Sequence, residues 1–417
     1  MECARAASHY SESMRSLALV MSPLAALAAA CSSPSGGGGA SGGGGRGIGG
    51  PTAAGPPTAD AQAAPDPTDP WSGAAEAGPA AGPAGGDGRR WIPGDLHMHV
   101  APFDAREGAT LTMADLARRG PAAGLEFVIA TPHVHPSTLA DPARRRRWNE
   151  AWTAMATAAR AERGFTIIPG AEYTIHGHGH FGVSGVDLAA LPARGFLAAA
   201  RAAGAFVVVN HPFATPTRIP GVRISDFDLS FRPWTEGGHD GDDETPLLGG
   251  VEVWNQPLGL ANLVSRGGGQ SGEQRAFVAA DALARGARRP IAAVGGTDSH
   301  GDRMAVTTWV LATDATERAL LAALAAGATC VGAIDGGTLV AHGDTDPAGR
   351  WARIGDVVRA AAEVELRWVG TARLFVDGVD RGEHAGGFVD RAAAGPHTYR
   401  IEIGASRCGF VYANLAA

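Results

Sequence analysis

The sequence predicts an α/β protein, whose large domain is built on a parallel sheet or barrel and is followed by a small β domain. From residue 91 to about 330, short apolar runs alternate with longer stretches of helical periodicity, which is typical of a parallel sheet. From Gly355 onward, apolar and polar residues alternate one by one, which indicates strands with one buried face. We therefore predict an α/β domain at 91–345 and a β domain at 355–417.

Residues 1–31 predict an export signal. Arg15 precedes the apolar run LALVMSPLAALAAA, which is too short to span a membrane. Small residues lead directly to Cys31, as in the cleavage box of a bacterial lipoprotein, although Ala28 stands where Leu is commonest. A lipidated Cys31 would anchor an exported protein to the membrane of the bacterial cell envelope, facing the periplasm or the cell surface. A cleaved signal without a lipid is the alternative.

The composition of residues 32–90 predicts a disordered linker. The segment consists almost entirely of Gly, Ala, Pro, Ser and Asp, so it cannot bury enough apolar surface to offset the entropy lost on ordering. A tether of this kind fits a folded domain anchored at a membrane. The net charge of −7 argues against a nucleic-acid partner.

The elements of the large domain follow one another in a regular order. Asp141 and Pro142 are suited to begin a helix, and Gly164 to end it. In the β domain, Asp377 and Gly378 predict a turn. The predicted strands of the large domain are 94–99, 125–133, 165–172, 180–185, 205–212, 249–255 and 290–300, and its predicted helices are 111–120, 141–163, 191–204, 272–286 and 316–327.

Histidines and carboxylates stand at the ends of successive predicted strands. In an extended segment His97 and His99 point the same way, although such a pair alone is more often ordinary. In β/α barrels the carboxyl ends of the strands form the active site, and clusters of imidazoles and carboxylates suit several metal ions. The four cysteines are too few for a disulfide scaffold or a cysteine zinc site. The candidate ligands are His97, His99, Asp104, His133, Glu172, His180, His211, Asp298 and His300.

These motifs resemble those of the polymerase-and-histidinol-phosphatase (PHP) superfamily of metallohydrolases, over roughly 93–335. The segments PGAEYT, GHGHFGVSG, VEVWN and AVGGTDSHG are most similar to its carbaryl-hydrolase-like branch. The resemblance implies a distorted seven-stranded (β/α)7 barrel that binds two or three divalent ions, commonly zinc, manganese or iron. The chain departs from the family pattern around His133 and Asp104, where the family has Thr-Asp-His and Ser-Asp-Gly. The resemblance therefore does not decide between two ions and three.

The resemblance also implies roles for the candidate ligands. Two close divalent ions lower the pKa of a bridging water, so a metal-bound hydroxide is the expected nucleophile. Asp298 would accept the proton of the attacking water as a catalytic residue. His178 is the alternative to His180 in GHGHF. The implied ligands are His97, His99 and Asp298 for one ion, His180 and His211 for a second, Asp104, His133 and His300 for a third, and Glu172 as the bridge between the first two.

The leading interpretation is a metal-dependent hydrolase of phosphoesters. Hydrolysis of carboxylic esters or carbamates at the same metal site is one alternative, and a non-catalytic binding module of the envelope is another. Nine candidate ligands argue against the module, since a degenerate member would have lost some of them. Residues 214–248 form a long loop insertion that is suited to select a small-molecule substrate. The candidate substrate contacts are Arg218, Arg223, Arg303 and His178.

Overall fold

The computed structural model describes residues 87–214, 229–236, 243–255, 272–332, 339–347, 350–391, 394–404 and 406–414, together with the backbone of 218–219 and 222–223. The predicted export signal, including Cys31, and the linker as far as residue 86 lie outside the described residues. Within the described part, no helix combines the length and the apolar character that a membrane crossing requires.

Helices and strands alternate through most of the large domain. The α-helices are α1 (Met113–Arg119), α2 (Pro136–Ala140), α3 (Pro142–Ala161), α4 (Phe196–Ala202), α5 (Arg232–Thr235), α6 (Gly272–Ala287) and α7 (Glu317–Ala325). The strands of this domain are β1 (Arg90–Met98), β2 (Phe127–Ala130), β3 (His133–Val134), β4 (Thr166–Ile175), β5 (Gly179–Ser184), β6 (Phe206–Asn210), β7 (Arg218–Ile219), β8 (Val222–Arg223), β9 (Gly250–Asn255), β10 (Ala292–Gly296), β11 (Thr308–Ala312) and β12 (Thr329–Gly332).

The C-terminal part is built of strands. Its long hairpin turns at Asp377 and Gly378, as predicted. The strands are β13 (Val340–Gly343), β14 (Ala352–Arg353), β15 (Val357–Val358), β16 (Val364–Val376), β17 (Val379–Asp390), β18 (His397–Ile403), β19 (Ser406–Cys408) and β20 (Val411–Ala413).

The central sheet is mixed rather than wholly parallel. The pairs β1–β2, β2–β4, β6–β9 and β9–β10 are parallel, whereas β4–β5, β5–β6 and β1–β11 are antiparallel. The link from β4 to β5 spans only residues 176–178, which is too short for the crossover that a parallel pair needs. The α/β class predicted from the sequence is confirmed, but the expectation of a parallel sheet is wrong at these pairs.

Helix α3 begins where the sequence predicts. The Asp141 side chain accepts hydrogen bonds from two backbone amides of the first turn, and Pro142 is the first helical residue. On the buried face, Trp152 Nε1 donates to the carbonyl of Gly170 in β4 at 3.0 Å. The helix therefore packs on the strand that carries Glu172.

The C-terminal strands are fastened to the α/β part. Strand β19 pairs with β12, and a disulfide joins Cys330 to Cys408 across this pair. Tyr412, on β20, lies in the main hydrophobic core and donates a hydrogen bond from its hydroxyl to the carbonyl of Ile291 at 2.8 Å. These contacts pack the C-terminal strands against the α/β part.

A buried charge network holds α6 against β18. Asp281 is 1% exposed, accepts a hydrogen bond from Thr398 Oγ1 at 2.6 Å and lies 3.9 Å from Arg400 Nε. The Arg400 guanidinium lies over the rings of Phe277 and Phe375. Burial outweighs the attraction of Arg400 and raises the pKa of Asp281 to about 7.

This pKa makes stability depend on pH. The folded chain holds the Asp281 proton up to about pH 7, whereas an unfolded Asp releases it near its ordinary value of 3.8, so stabilisation is lost as the pH rises through this window. Asn has no proton to release, so Asp281→Asn does not lose this stabilisation. The Tm of the variant minus the Tm of the wild type should therefore increase by roughly a few degrees between pH 5 and pH 7.5. Melting curves measured across this range test it.

The matched control is Asp302→Asn, because the Asp302 side chain is 78% exposed. Its Tm should stay parallel to that of the wild type. The assignment to Asp281 fails if the control and Asp281→Asn show the same change with pH.

Candidate metal centre

Strands β1 and β10 bring the first candidate ligands together. The Asp298 amide donates to the His97 carbonyl at 2.8 Å, and the His99 amide donates to the Ser299 carbonyl at 3.1 Å. Gly296 permits this approach, since a Cβ at this position would lie 2.2 Å from the Cβ of His97. The pair predicted to share one face of a strand therefore faces Asp298.

The Glu172 carboxylate, on β4, lies at the centre of the cluster and is 1% exposed. Its Oε1 lies 3.2 Å from His97 Nε2, 3.2 Å from His180 Nδ1 and 3.4 Å from His211 Nε2. Its Oε2 lies 3.0 Å from His133 Nδ1. One carboxylate thus contacts imidazoles from four different segments of the chain.

Nitrogen and oxygen atoms of the cluster lie within 4.8 Å of one another in four groups of three residues. Glu172 belongs to two of these groups, so its carboxylate is shared. The groups bring together all the ligands predicted from the sequence except Asp104. The four groups are His99, His133 and His300; His97, His211 and Asp298; His97, His99 and Glu172; and Glu172, His180 and His211.

Asp104 lies beside these groups. It is 3% exposed, and its Oδ2 lies 3.0 Å from His99 Nδ1. Its Oδ1 accepts a hydrogen bond from the His133 amide at 3.1 Å. Asp104 therefore orients His99, whose Nε2 faces Asp298 Oδ1 at 3.1 Å.

The sequence interpretation missed a second carboxylate with a similar position. Glu252 Oε1 lies 3.0 Å from His97 Nδ1, and Glu252 Oε2 accepts a hydrogen bond from the His211 amide at 2.6 Å. A carboxylate bound to one imidazole nitrogen fixes the tautomer and leaves the other nitrogen for a metal. The signal was present, because Glu252 is a charged residue within an otherwise apolar predicted strand.

Two asparagines hold the carboxylates of the cluster. Asn210 Nδ2 donates to Glu172 Oε1 at 2.8 Å. Asn255 Nδ2 donates to Asp298 Oδ2 at 3.1 Å and to Glu252 Oε2 at 3.3 Å. Both residues end strands of the sheet, so the strand ends supply the positioning groups as well as the candidate ligands.

The backbone is strained at two of the candidate ligands. Asp298 has a φ of 49° and His211 a φ of 30°, in the left-handed region that few residues other than glycine adopt. Strain of this kind persists where surrounding contacts enforce it, and it concentrates at functional sites. Here the contacts are two hydrogen bonds: the Asp298 amide donates to the His97 carbonyl, and the His211 amide donates to the Glu252 carboxylate.

The charges of the cluster are strongly coupled. Burial alone would raise the pKa of Glu172, but His180 and His97 outweigh it and hold that pKa well below its usual range. Burial opposes a charged His97, but Asp298 and Glu172 raise its pKa well above the usual value. Burial lowers the pKa of His180 to about 4, so this imidazole is neutral and keeps a free lone pair.

These residues fit divalent metal ions. Protons and metal ions compete for the same imidazole lone pairs, and buried carboxylates that must stay ionised need cations beside them. A donor set of imidazole nitrogens and carboxylate oxygens suits zinc, manganese or iron.

The predicted substrate contacts lie in different surroundings. His178 Nε2 lies 3.2 Å from Glu244 Oε2, so His180 rather than its alternative His178 joins the cluster. Arg303 is exposed. Arg218 and Arg223 lie on the hairpin β7–β8, and their side chains are outside the described residues.

Among solved structures, the chain is similar to a two-domain protein from Bacteroides vulgatus, which is described as containing a predicted PHP-like metal-dependent phosphoesterase. The identity is 15% and the TM-score 0.40, over 79% of this chain and 93% of that chain. A likeness at this level establishes neither the fold nor the activity. The sequence matches no protein-family model and no curated protein. The comparisons do not support the narrower resemblance to the carbaryl-hydrolase-like branch.

The position of Glu252 predicts its effect on metal binding. Glu252→Gln keeps the shape of the side chain but removes the charge behind His97, so affinity for Mn²⁺ should fall about 10- to 100-fold. Competition with a chelating dye measures the change. The control is Glu126→Gln, which alters an exposed carboxylate that pairs with Arg90. Equal affinities of the two variants would contradict the positioning role.

Proposed function

We propose that the protein is a metal-dependent hydrolase of the PHP type. The observation that carries the proposal is the Glu172 carboxylate, which is shared by two groups of metal-capable atoms and is almost completely buried. A carboxylate can bridge two ions because it has two oxygens. The proposed ligands are His97, His99, Glu172, His180, His211 and Asp298 for two ions, with His133 and His300 for a third.

The chain's own residues prepare the reaction. Two close divalent ions, when bound, activate a water molecule and polarise the bond under attack. Asp298 is the proposed proton acceptor: Asn255 holds its Oδ2, while its Oδ1 faces His97 and His99. Asn210 and Glu252 keep Glu172 and His97 in place.

Phosphoesters are the proposed substrates. The group proposed for the third ion, which contains His99, His133 and His300, adjoins the other three groups and would add a further cation to the same site. A site with several cations attracts an anionic phosphoester and stabilises the charge that develops on its oxygens. A carboxylic ester or a carbamate without charge would gain less from the additional cation.

We propose that the central sheet is a distorted form of the seven-stranded barrel that the resemblance implies. Strands β1, β2, β4, β5, β6, β9 and β10 are neighbours in a continuous series. The bridge between Met98 and Ser299 supports closure of this series, since it links the end of β10 to β1. Closure would gather the strand ends, and with them the ligands, around one centre.

The proposed location is the bacterial cell envelope, with a lipid anchor on Cys31. The disulfide between Cys330 and Cys408 supports export, because disulfides persist in oxidising compartments. The pattern of small residues before Cys31 supports the anchor.

Metal content and activity test the function together. The purified full chain, made in medium supplemented with Mn²⁺, should contain at least two ions, and it should hydrolyse a phosphomonoester or phosphodiester chromogen faster than a carboxylic ester chromogen. Elemental analysis and initial rates measure this. Fewer than one ion per chain would overturn the proposal, and a faster carboxylic ester reaction would change the substrate class.

The shared position of Glu172 gives a sharper expectation. Glu172→Gln should reduce the content by two ions and abolish hydrolysis, because both groups that use this carboxylate are weakened. His133→Ala should reduce the content by one ion, because His133 belongs to a single group. Loss of only one ion from Glu172→Gln, with activity kept, would exclude the bridging role.

Anchoring through Cys31 predicts how the protein partitions. Expressed in a bacterium that processes lipoproteins, the wild type should fractionate with membranes, and Cys31→Ala should be released or retained as an unprocessed precursor. Cys3→Ala is the matched control and should behave as the wild type. If Cys31→Ala partitions and is processed like Cys3→Ala, the cleaved-signal alternative holds instead.

A further inference from the structure

The short 3-10 helix Ala105–Glu107 brings one more carboxylate to the cluster. It directly follows Asp104, and the amide of its last residue donates to the Asp104 carbonyl at 2.9 Å. Gly108 then ends it with a φ of 104°, a conformation suited to glycine. This turn directs the Glu107 side chain towards His133 and His300.

The distances around Glu107 Oε2 are those of a coordination sphere. This oxygen lies 3.1 Å from His133 Nε2 and 3.4 Å from His300 Nε2. Ligand atoms bound at about 2.1 Å to one divalent ion lie roughly 3.0 to 3.5 Å from one another. Although Glu107 Oε2 is enclosed, it makes no hydrogen bond of good geometry with the described residues. The oxygen therefore lies at coordination spacing from each of the two nitrogens.

Asp104 differs from Glu107 in the direction of its oxygens. Oδ2 of Asp104 contacts His99 Nδ1, and Oδ1 accepts a hydrogen bond from the His133 amide. Both oxygens of Asp104 therefore contact the backbone amide of His133 or the Nδ1 of His99. The sequence resemblance implies Asp104 as the carboxylate of the third ion, but neither of its oxygens faces the outer nitrogens of His133 and His300 in the way that Glu107 Oε2 does.

We propose that Glu107 is the carboxylate ligand of the third divalent ion, together with His133 and His300, and that Asp104 acts as a positioning residue for His99. The inference rests on the proposed metal-dependent function and adds a ligand that the sequence motifs did not indicate. Mn²⁺, Zn²⁺ and Fe²⁺ belong to the class of ion that these ligands accept.

Exposure distinguishes this ion from the other two. The Glu107 side chain is 26% exposed, whereas the side chains of the other candidate ligands are at most 12% exposed. An ion held by Glu107, His133 and His300 is therefore closer to solvent than the other two ions. It should exchange first, and it should leave first when a chelator is added.

The test compares Mn²⁺ binding by the full-length wild type and by Glu107→Gln. The variant should contain one ion fewer than the wild type, and its weakest site should bind Mn²⁺ at least tenfold more weakly in a titration. In the wild type, one ion should leave at a lower chelator concentration than the other two, and this step should be missing in the variant. Glu126→Gln, a change of an exposed carboxylate of the same type, should behave as the wild type.

The outcomes separate this inference from the proposed function. A wild type without bound ions overturns both. A Glu107→Gln variant with the same ion count and affinities as the wild type overturns the role of Glu107 and leaves the hydrolase proposal intact.

A crystal of the Mn²⁺-loaded wild type gives a second measurement that does not depend on the folding of a variant. The inference expects an anomalous peak about 2.0 to 2.3 Å from a Glu107 oxygen. A third peak that is bound by Asp104 instead overturns it.

Discussion

The buried charge of Glu172 is the constraint on which the rest of the site depends. A carboxylate that is 1% exposed carries a large desolvation penalty, which cations and hydrogen-bond donors must offset. Asn210 supplies one donor at 2.8 Å, and the surrounding imidazoles supply positive charge or, with metal bound, ligand nitrogens. Removing any partner exposes the remaining groups to the same penalty, so the cluster behaves as one coupled unit.

The fold meets this constraint by gathering strand ends. Strand β10 can lie this close to β1 only because residue 296 is a glycine: any side chain there would collide with His97 and Glu252. Two residues further on, Asp298 has a left-handed backbone conformation, and its amide donates a hydrogen bond to the His97 carbonyl. Geometry at the site is thus maintained by main-chain contacts of the sheet, and the side chains need little freedom to reach one another.

Local rules of the chain account for what the sequence could predict. Side chains two residues apart in a strand share a face, and residues that follow parallel strands meet at one edge, so most of the cluster could be predicted. Glu107 was missed because only the fold brings it near His133 and His300. Glu252 was missed although it stands as a charged residue within a predicted strand. Strands β11 and β12 were also missed, although TTWVLA has the β-branched and aromatic character of a strand. Strands β4 and β5 are antiparallel because the link between them is too short for a crossover. The alternation of strands and helices elsewhere in the domain led us to expect a parallel sheet here as well.

Burial also divides the site into two ends. The inner end, around Glu172 and Asp298, is enclosed by strands and asparagines, so charges there act in a low dielectric and interact strongly. The outer end, at Glu107, is partly exposed: 26% of this side chain is open to solvent, although its Oε2 is enclosed. Under the proposed metal-dependent function, the same gradient of burial that stabilises the cluster therefore sets the order in which bound ions would exchange with solvent, with the ion at Glu107 first.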